Sequence, residues 1–262
     1  MTGGGLSQTI VECRNELETM KVYVRKGEDG QIANPNFYAA YDGFRQMGFE
    51  VRFFQPRHEG LEDHAKEDVV VGYVAEVRAA LQKHGITAPE MDYPEELAAF
   101  LGRKIWRSKL SAIANHPERW NVFIKPVEDK KFTGVVVRSP KDLIGCGTYG
   151  EDPDILCSEV VKFKTEWRCF VRYGTILDVR RYRGDWRAQF DYRVVEEMVQ
   201  KFNTAPKGYA LDVGLTETGQ TLLIEVNDGY ALGHYGLQAL DYAKLLSARW
   251  AELTASVDEC DF

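Results

Sequence analysis

Residues 210–229 read ALDVGLTETGQTLLIEVNDG. Two apolar runs flank a turn, and they carry Asp212, Glu225 and Asn227. Thr218-Gly219 has the composition of a two-residue hairpin loop. Closing the pair there, with Glu217 opposite Gln220, puts Asp212 directly across from Glu225. Asn227 then shares a face with Glu225, because strand side chains alternate with period two. Carboxylates that face each other across a ladder repel, and a cation between them relieves the repulsion. Oxygen ligands from Asp, Glu and Asn are the donors magnesium takes, together with waters and phosphates. The competing reading is a solvated pair on an exposed face. A three-residue loop would also move Asp212 to the opposite face and remove the argument.

Working outward, the 262-residue chain is long enough for one large or two small domains. Its formal charge of −7 argues against coating nucleic acid through bulk charge. Five cysteines (Cys13, Cys146, Cys157, Cys169, Cys260) show no CxxC spacing. The odd count points away from a disulfide framework or zinc site and toward a reducing cytosol. No apolar run reaches the length of a membrane span. The N-terminus lacks the pattern of a secretory signal, and residues 1–5 read as a loose tail.

Residues 21–25 and 50–54 look like strands. Residues 37–47 between them have helical periodicity and stop at Gly48. This is a βαβ unit with a parallel pair. Residues 68–81 begin as a strand and continue as a helix. A small α/β domain, residues 1–92, is therefore expected. Tyr93-Pro94 opens a further helix, and the basic stretch 97–115 reads as helical. From residue 121 strands dominate, with helices at 194–202 and 237–253, so residues 93–262 are expected to be α+β.

Lys125 ends an apolar strand, FIKP, before a basic turn with Lys130, Lys131 and Gly134. A lysine beside free backbone N–H groups suits phosphate, although a solvated strand end is the plainer reading. Neither a P-loop nor GxGxxG occurs. Ser158-Glu159-Val160-Val161 is either an ordinary edge strand or one that reads an adenine edge. Glu166 and Arg168 lie two apart, on one strand face, as a surface ion pair or as part of a site. Arg172, Arg180, Arg181, Arg183 and Arg187 follow on neighbouring strands. They suit phosphate or carboxylate, a solvated face, or an RNA groove with Tyr182 and Trp186 as stacking partners. The histidines lack HExxH spacing, and Cys157 and Cys169 read as small core residues.

The order IKP, SEVV, EWR, DVG, IEVN over residues 97–240 resembles the ATP-grasp superfamily, with the preceding α/β part similar to its companion N-terminal domain. The wording EVVKFKTEWRCFV is similar to a bacterial and phage-associated clade of that superfamily. The resemblance implies antiparallel sheets that form a nucleotide cleft. It implies that Lys125 contacts ATP phosphates, with Lys104 or Lys109 matching a second nucleotide lysine and Lys131 in the reduced phosphate loop KKFTG. Glu159, Val160 and Val161 would form the adenine hinge, with Glu166 beside the nucleotide. Asp212, Glu225 and Asn227 would hold magnesium, and Arg168 would contact phosphate or the acyl group. Arg172, Arg180 and Arg181 are the expected surface for the acid substrate. The implied activity is an ATP- and magnesium-dependent ligase in the cytoplasm, as a monomer or homodimer. It would join a carboxylate to an amine, from small molecules or peptides, without membrane or nucleic acid. The alternative is a non-catalytic ATP-binding sensor or docking module. A self-adenylating RNA-end ligase would need KxDG, and Lys125 is followed by Pro-Val-Glu.

Overall fold

The computed structural model describes residues 20–32, 34–89, 91–127, 131–147 and 150–262. The expected N-terminal tail, Cys13 and Lys130 lie outside the described residues. Three sheets form. The first is parallel, in the order β2-β1-β3, from β1 (Lys21–Arg25), β2 (Glu50–Phe54) and β3 (Val69–Val71). Helix α1 (Pro35–Gln46) links β1 to β2. The Asn34 side chain caps it by accepting from Asn36 N, and Pro35 begins it. Helix α2 (Val74–Lys83) follows β3. The buried face of this sheet shares one apolar cluster with α5 (Ala239–Thr254), the C-terminal helix. Gly43 of α1 sits where a Cβ would overlap the Ala239 carbonyl oxygen. Only glycine lets the two helices cross this closely.

The second sheet has the order β4-β7-β5-β6, all antiparallel, from β4 (Ile105–Lys109), β5 (Val122–Pro126), β6 (Val135–Val137) and β7 (Asp154–Glu159). Its first strand corrects the expected helix over 97–115. A 3₁₀ turn covers Glu95–Phe100, Gly102 takes a φ of +59°, and Ile105 to Lys109 pair with Ser158 to Asp154. The left-handed glycine breaks the helical path, and the ladder to β7 outweighs local propensity. Only Ser111–Ala114 of the stretch is helical, as α3.

The third sheet, β11-β10-β8-β9, is antiparallel: β8 (Phe163–Arg172), β9 (Thr175–Gly184), β10 (Gly208–Thr216) and β11 (Thr221–Asp228). One face packs Trp167, Cys169, Leu211, Val213 and Leu223 against helix α4 (Tyr192–Lys201). The other face carries Glu166, Arg168, Asp212 and Glu225.

The hairpin register holds for a different reason than expected. Thr216 N donates to Gln220 O and Gly219 N to Thr216 O, so the loop has three residues, with Gly219 at φ +86°. From that end Leu215 pairs Thr221, Gly214 pairs Leu222 and Val213 pairs Leu223. Ile224 then bulges out, and Asp212 pairs Glu225 after all. The longer loop shifts the register by one and the bulge shifts it back.

Replacing Gly43 by Ala is expected to destabilise the fold by about 1–3 kcal/mol through overpacking against α5. An unchanged thermal midpoint would show that the α1–α5 crossing tolerates the methyl group.

Candidate active site

A cleft of about 750 Å³ opens between the second and third sheets, within the range of small-ligand pockets. Phe123 and Val136 line one wall; Glu166, Phe163, Tyr182 and Glu225 line the other. Ser158, Glu159, Val160 and Val161 cross between them, where β7 has ended at Glu159 and the backbone leaves its ladder. Lys104 meets this connection through its main chain. Its N–H donates to Glu159 Oε2 at 2.9 Å, and its carbonyl accepts from Glu159 N at 3.1 Å. The Lys104 side chain is exposed, with Nζ 5.9 Å from the Trp106 ring.

Across the floor runs a row of four charges, one per strand: Glu225, Asp212, Arg168 and Arg180, in consecutive ladder positions. Arg168 donates through Nε to Asp212 Oδ1 and through Nη2 to Oδ2, both at 2.7 Å. Its Nη1 donates to Gly233 O at 3.3 Å, and its plane lies 4.8 Å from the Tyr235 ring. Asn227 Nδ2 donates to Asp212 Oδ2 at 3.1 Å. Burial pushes the Asp212 carboxyl upward, opposed by the Arg168 hydrogen bonds. Lys125 comes from the facing sheet and bonds Glu225 at 3.0 Å and Asp92 at 2.9 Å. Burial alone would lower the Lys125 ammonium, but Glu225, Tyr93 and Asp92 outweigh it and hold it well above the ordinary lysine value. The repulsion between Asp212 and Glu225 is therefore relieved by the chain's own Arg168 and Lys125.

Among the described residues no group of three or more His, Cys, Asp or Glu is placed to hold a metal. The donor set still suits magnesium, which takes one or two carboxylates beside substrate phosphates. Glu225 uses Oε2 on Lys125, and Asn227 uses its amide nitrogen on Asp212. A second carboxylate oxygen and an amide oxygen remain as donors for a cation.

Other expected residues fall elsewhere. Lys131 bonds Glu151 at 3.2 Å in a separate hollow with Lys109 and Asp154. Arg172 donates to Asp258 at 2.8 Å and to Cys260 O at 3.1 Å, so it fastens the C-terminal segment. Arg181 pairs in the ladder with the core residue Trp167, because neighbours on a strand face opposite sides. Of the three arginines assigned to the acid substrate, Arg180 alone stays on the floor, 2.5 Å from Asp178. Glu166 lines the cleft and accepts from Arg183 at 2.6 Å. Site residues that sequence reasoning passes over are Asp92, Tyr93, Arg103 and Tyr235. The aromatic-acid pair in MDYPEE is a visible signal, although its proline reads first as a helix start.

Burial raises the Cys157 thiol to about 11 and the Cys169 thiol to about 12, which suits inert core residues. Among the described residues no helix is long and apolar enough to cross a membrane.

Two outcomes are expected. Asp212→Ala should cost about 3–5 kcal/mol in stability by stranding Arg168, whereas Glu225→Gln at the half-buried end of the row should cost far less; equal losses in urea unfolding would contradict the pairing. Cys146, Cys157, Cys169 and Cys260 are all buried and should react with Ellman's reagent at neutral pH only after unfolding, so rapid native labelling of any of them would count against this packing.

Comparison with known proteins agrees with this architecture. No curated protein sequence matches the chain. Among solved structures, D-alanine–D-alanine ligase from Bacillus anthracis complexed with ATP superposes with a TM-score of 0.57 at 12% identity, over 90% of this chain and 98% of that one. N5-carboxyaminoimidazole synthetase from Staphylococcus aureus gives 0.56 at 12%, over 91% and 78%. The ATP-grasp ligase PsnB complexed with a minimal precursor gives 0.50 at 15%, over 90% and 100%. At such identities the likeness speaks for the fold. The family assignment comes from the sequence itself, since a family model described as an ATP-grasp domain, the second family of its clade, matches residues 100–245. With the cleft between two antiparallel sheets and that match over most of both, the chain belongs to this family of ATP-grasp ligases.

Proposed function

We propose that this chain is a magnesium-dependent ligase that joins a carboxylate to an amine at the expense of ATP, through an acyl phosphate. The observation that supports it best is the meeting of Glu159, Val160, Val161 and Glu225 in one cleft, with Lys125 reaching Glu225 from the facing sheet. The named activities of the D-alanine–D-alanine ligase and carboxyaminoimidazole synthetase neighbours are in keeping with it.

In this reading adenine lies along residues 158–161, between Phe123, Val136 and Phe163, with free backbone groups and the Glu159 carboxylate at its edge. Lys125 meets the phosphates. A carboxylate oxygen of the acid substrate attacks the γ-phosphorus, and the bond to ADP breaks. The amine then attacks the acyl carbon, phosphate leaves, and the amine gives up its proton. No side-chain nucleophile is required, which fits the buried, inert thiols. Asp212, Glu225 and Asn227 would hold magnesium, which supplies charge neutralisation on the phosphates. Arg168 stays paired to Asp212 along one edge, and its remaining N–H groups can meet the transferring phosphoryl or the acyl phosphate. Arg180 is the arginine left to orient the acid.

The proposed division of the chain is an N-terminal α/β unit over residues 1–92 and an ATP-grasp unit over residues 93–262, with α5 returning to pack on the first. A cytoplasmic location goes with this chemistry and with the thiols.

A second reading, an ATP-binding sensor or docking module without turnover, has one observation in its favour. Lys125 and Arg168 are already ion-paired within the protein. A phosphate-release screen over paired amino acids and peptides separates the two. ADP should form only with both an acid and an amine, and Lys125→Met should lower kcat by roughly 10²–10³-fold. Tight ATP binding with no turnover across the panel would favour the sensor.

A further inference from the structure

The two walls of the cleft are tied together by one side chain. Arg103 lies just before β4, at the edge of the second sheet. Its Nη1 donates to Leu223 O and its Nη2 to Ile224 O, both at 2.7 Å, on β11 of the third sheet. Its Nε donates to Ser158 Oγ at 3.2 Å, in the segment proposed to meet adenine, and Nη1 also meets Leu101 O at 2.9 Å.

The two β11 carbonyls are consecutive. In a regular strand successive carbonyls point to opposite edges, and a single planar fork cannot take both. At a bulge the ladder is interrupted and the extra residue is left unpaired. Ile224 is that residue, so the Arg103 fork occupies the two carbonyls the bulge turns outward. Two further contacts bring the clamp to this edge. Val226 N donates to Asp92 O at 3.0 Å, so the segment before β4 runs along the outer side of β11. Gly102, at φ +59°, lies where a Cβ would be 2.6 Å from the Leu222 side chain. Glycine there lets the chain close over Leu222 and deliver Arg103 to the next two residues.

The bulge is what restores Asp212 to its place opposite Glu225, given the three-residue loop. We propose that Arg103 is the positioning residue that fixes the β10–β11 register at the bulge, and through it sets Glu225 and Asn227 toward a magnesium-nucleotide, which rests on the functional reading above. It acts through backbone carbonyls, and the role needs a planar fork. Lysine is a single point charge on a flexible stem and cannot reproduce it.

The test uses the full-length protein and two variants, Arg103→Ala and Arg103→Lys. The first readout is amide hydrogen exchange without nucleotide. Amides of residues 222–226 should exchange roughly tenfold faster in both variants, as expected for carbonyls that lose their partners, while those of β1 and β3 stay unchanged. The second is ATP affinity with and without magnesium. The gain due to magnesium should fall by about tenfold or more, the magnesium-free affinity should stay within about threefold, and millimolar guanidinium should restore part of the gain in Arg103→Ala. Unchanged exchange at the bulge would overturn the clamp. Equal loss of magnesium-free and magnesium-dependent binding would overturn the positioning role and mark Arg103 as an ordinary nucleotide contact. If the wild-type protein shows no magnesium-dependent ATP binding, the functional reading fails together with the toward-magnesium part of the proposal, and the exchange data still decide the clamp.

Discussion

The ion pair of Arg168 and Asp212 sits on the two central strands of the third sheet, β8 and β10, with both side chains almost wholly buried. Burying either charge alone would cost several kcal/mol, and only close, well-aligned pairing offsets it. Two parallel bonds of 2.7 Å supply that alignment. The pair then dictates its neighbours. Glu225 stands beside Asp212 and Arg180 beside Arg168, each next to a like charge, so each outer member needs a partner of its own. Lys125 serves Glu225, and Asp178 serves Arg180. The row is a chain of compensation that begins at its centre.

Lys125 gives this arrangement a mechanical consequence. It belongs to the second sheet, while Glu225 belongs to the third, so their bond spans the cleft. A nucleotide phosphate that takes up Lys125 must compete with Glu225 and Asp92. A ligand shifts such an arrangement only by its differential affinity for the two states. The aromatic rings nearby limit the alternatives: Tyr93 lies 4.7 Å from Lys125 Nζ, and Tyr235 covers the Arg168 plane while stacking on Tyr182 at 5.0 Å.

Local pattern makes most of the fold legible. The βαβ unit, the strands from residue 121 onward and both long C-terminal helices follow from period and stop signals, and the ordered motifs point to the ATP-grasp fold. The opposition of Asp212 and Glu225 is legible only through two compensating features. Glu217-Thr218-Gly219 makes a longer loop than Thr218-Gly219 alone, and Ile224 bulges to cancel the shift. Nothing in the residue types at 222–225 announces a bulge. The strand at 105–109 is hidden because its basic residues recur at helical spacing, and its partner strand begins 45 residues later. Arg172 and Arg181 group with Arg180 by proximity in sequence, yet strand alternation and the C-terminal segment sort them apart.

The contacts that escape the sequence share a physical character: a side chain meets backbone, or meets a charge far along the chain. Arg103 reaches Leu223 O, 120 positions away, and carbonyls carry no residue signature. The same contacts constrain what the cleft accepts. Asp92, Asp212 and Glu225 face Lys125 and Arg168, and Arg180 is matched by Asp178, so the protein has no surplus of positive charge here to receive a polyphosphate. Coulomb repulsion from the three carboxylates would oppose a bare nucleotide in such a low-dielectric site. A nucleotide that arrives with its own divalent cation brings the missing charge, and that cation finds oxygen donors on Glu225 and Asn227. The internal neutrality of the row thus favours a metal-nucleotide over the nucleotide alone, for the same reason that it holds the two walls of the cleft together.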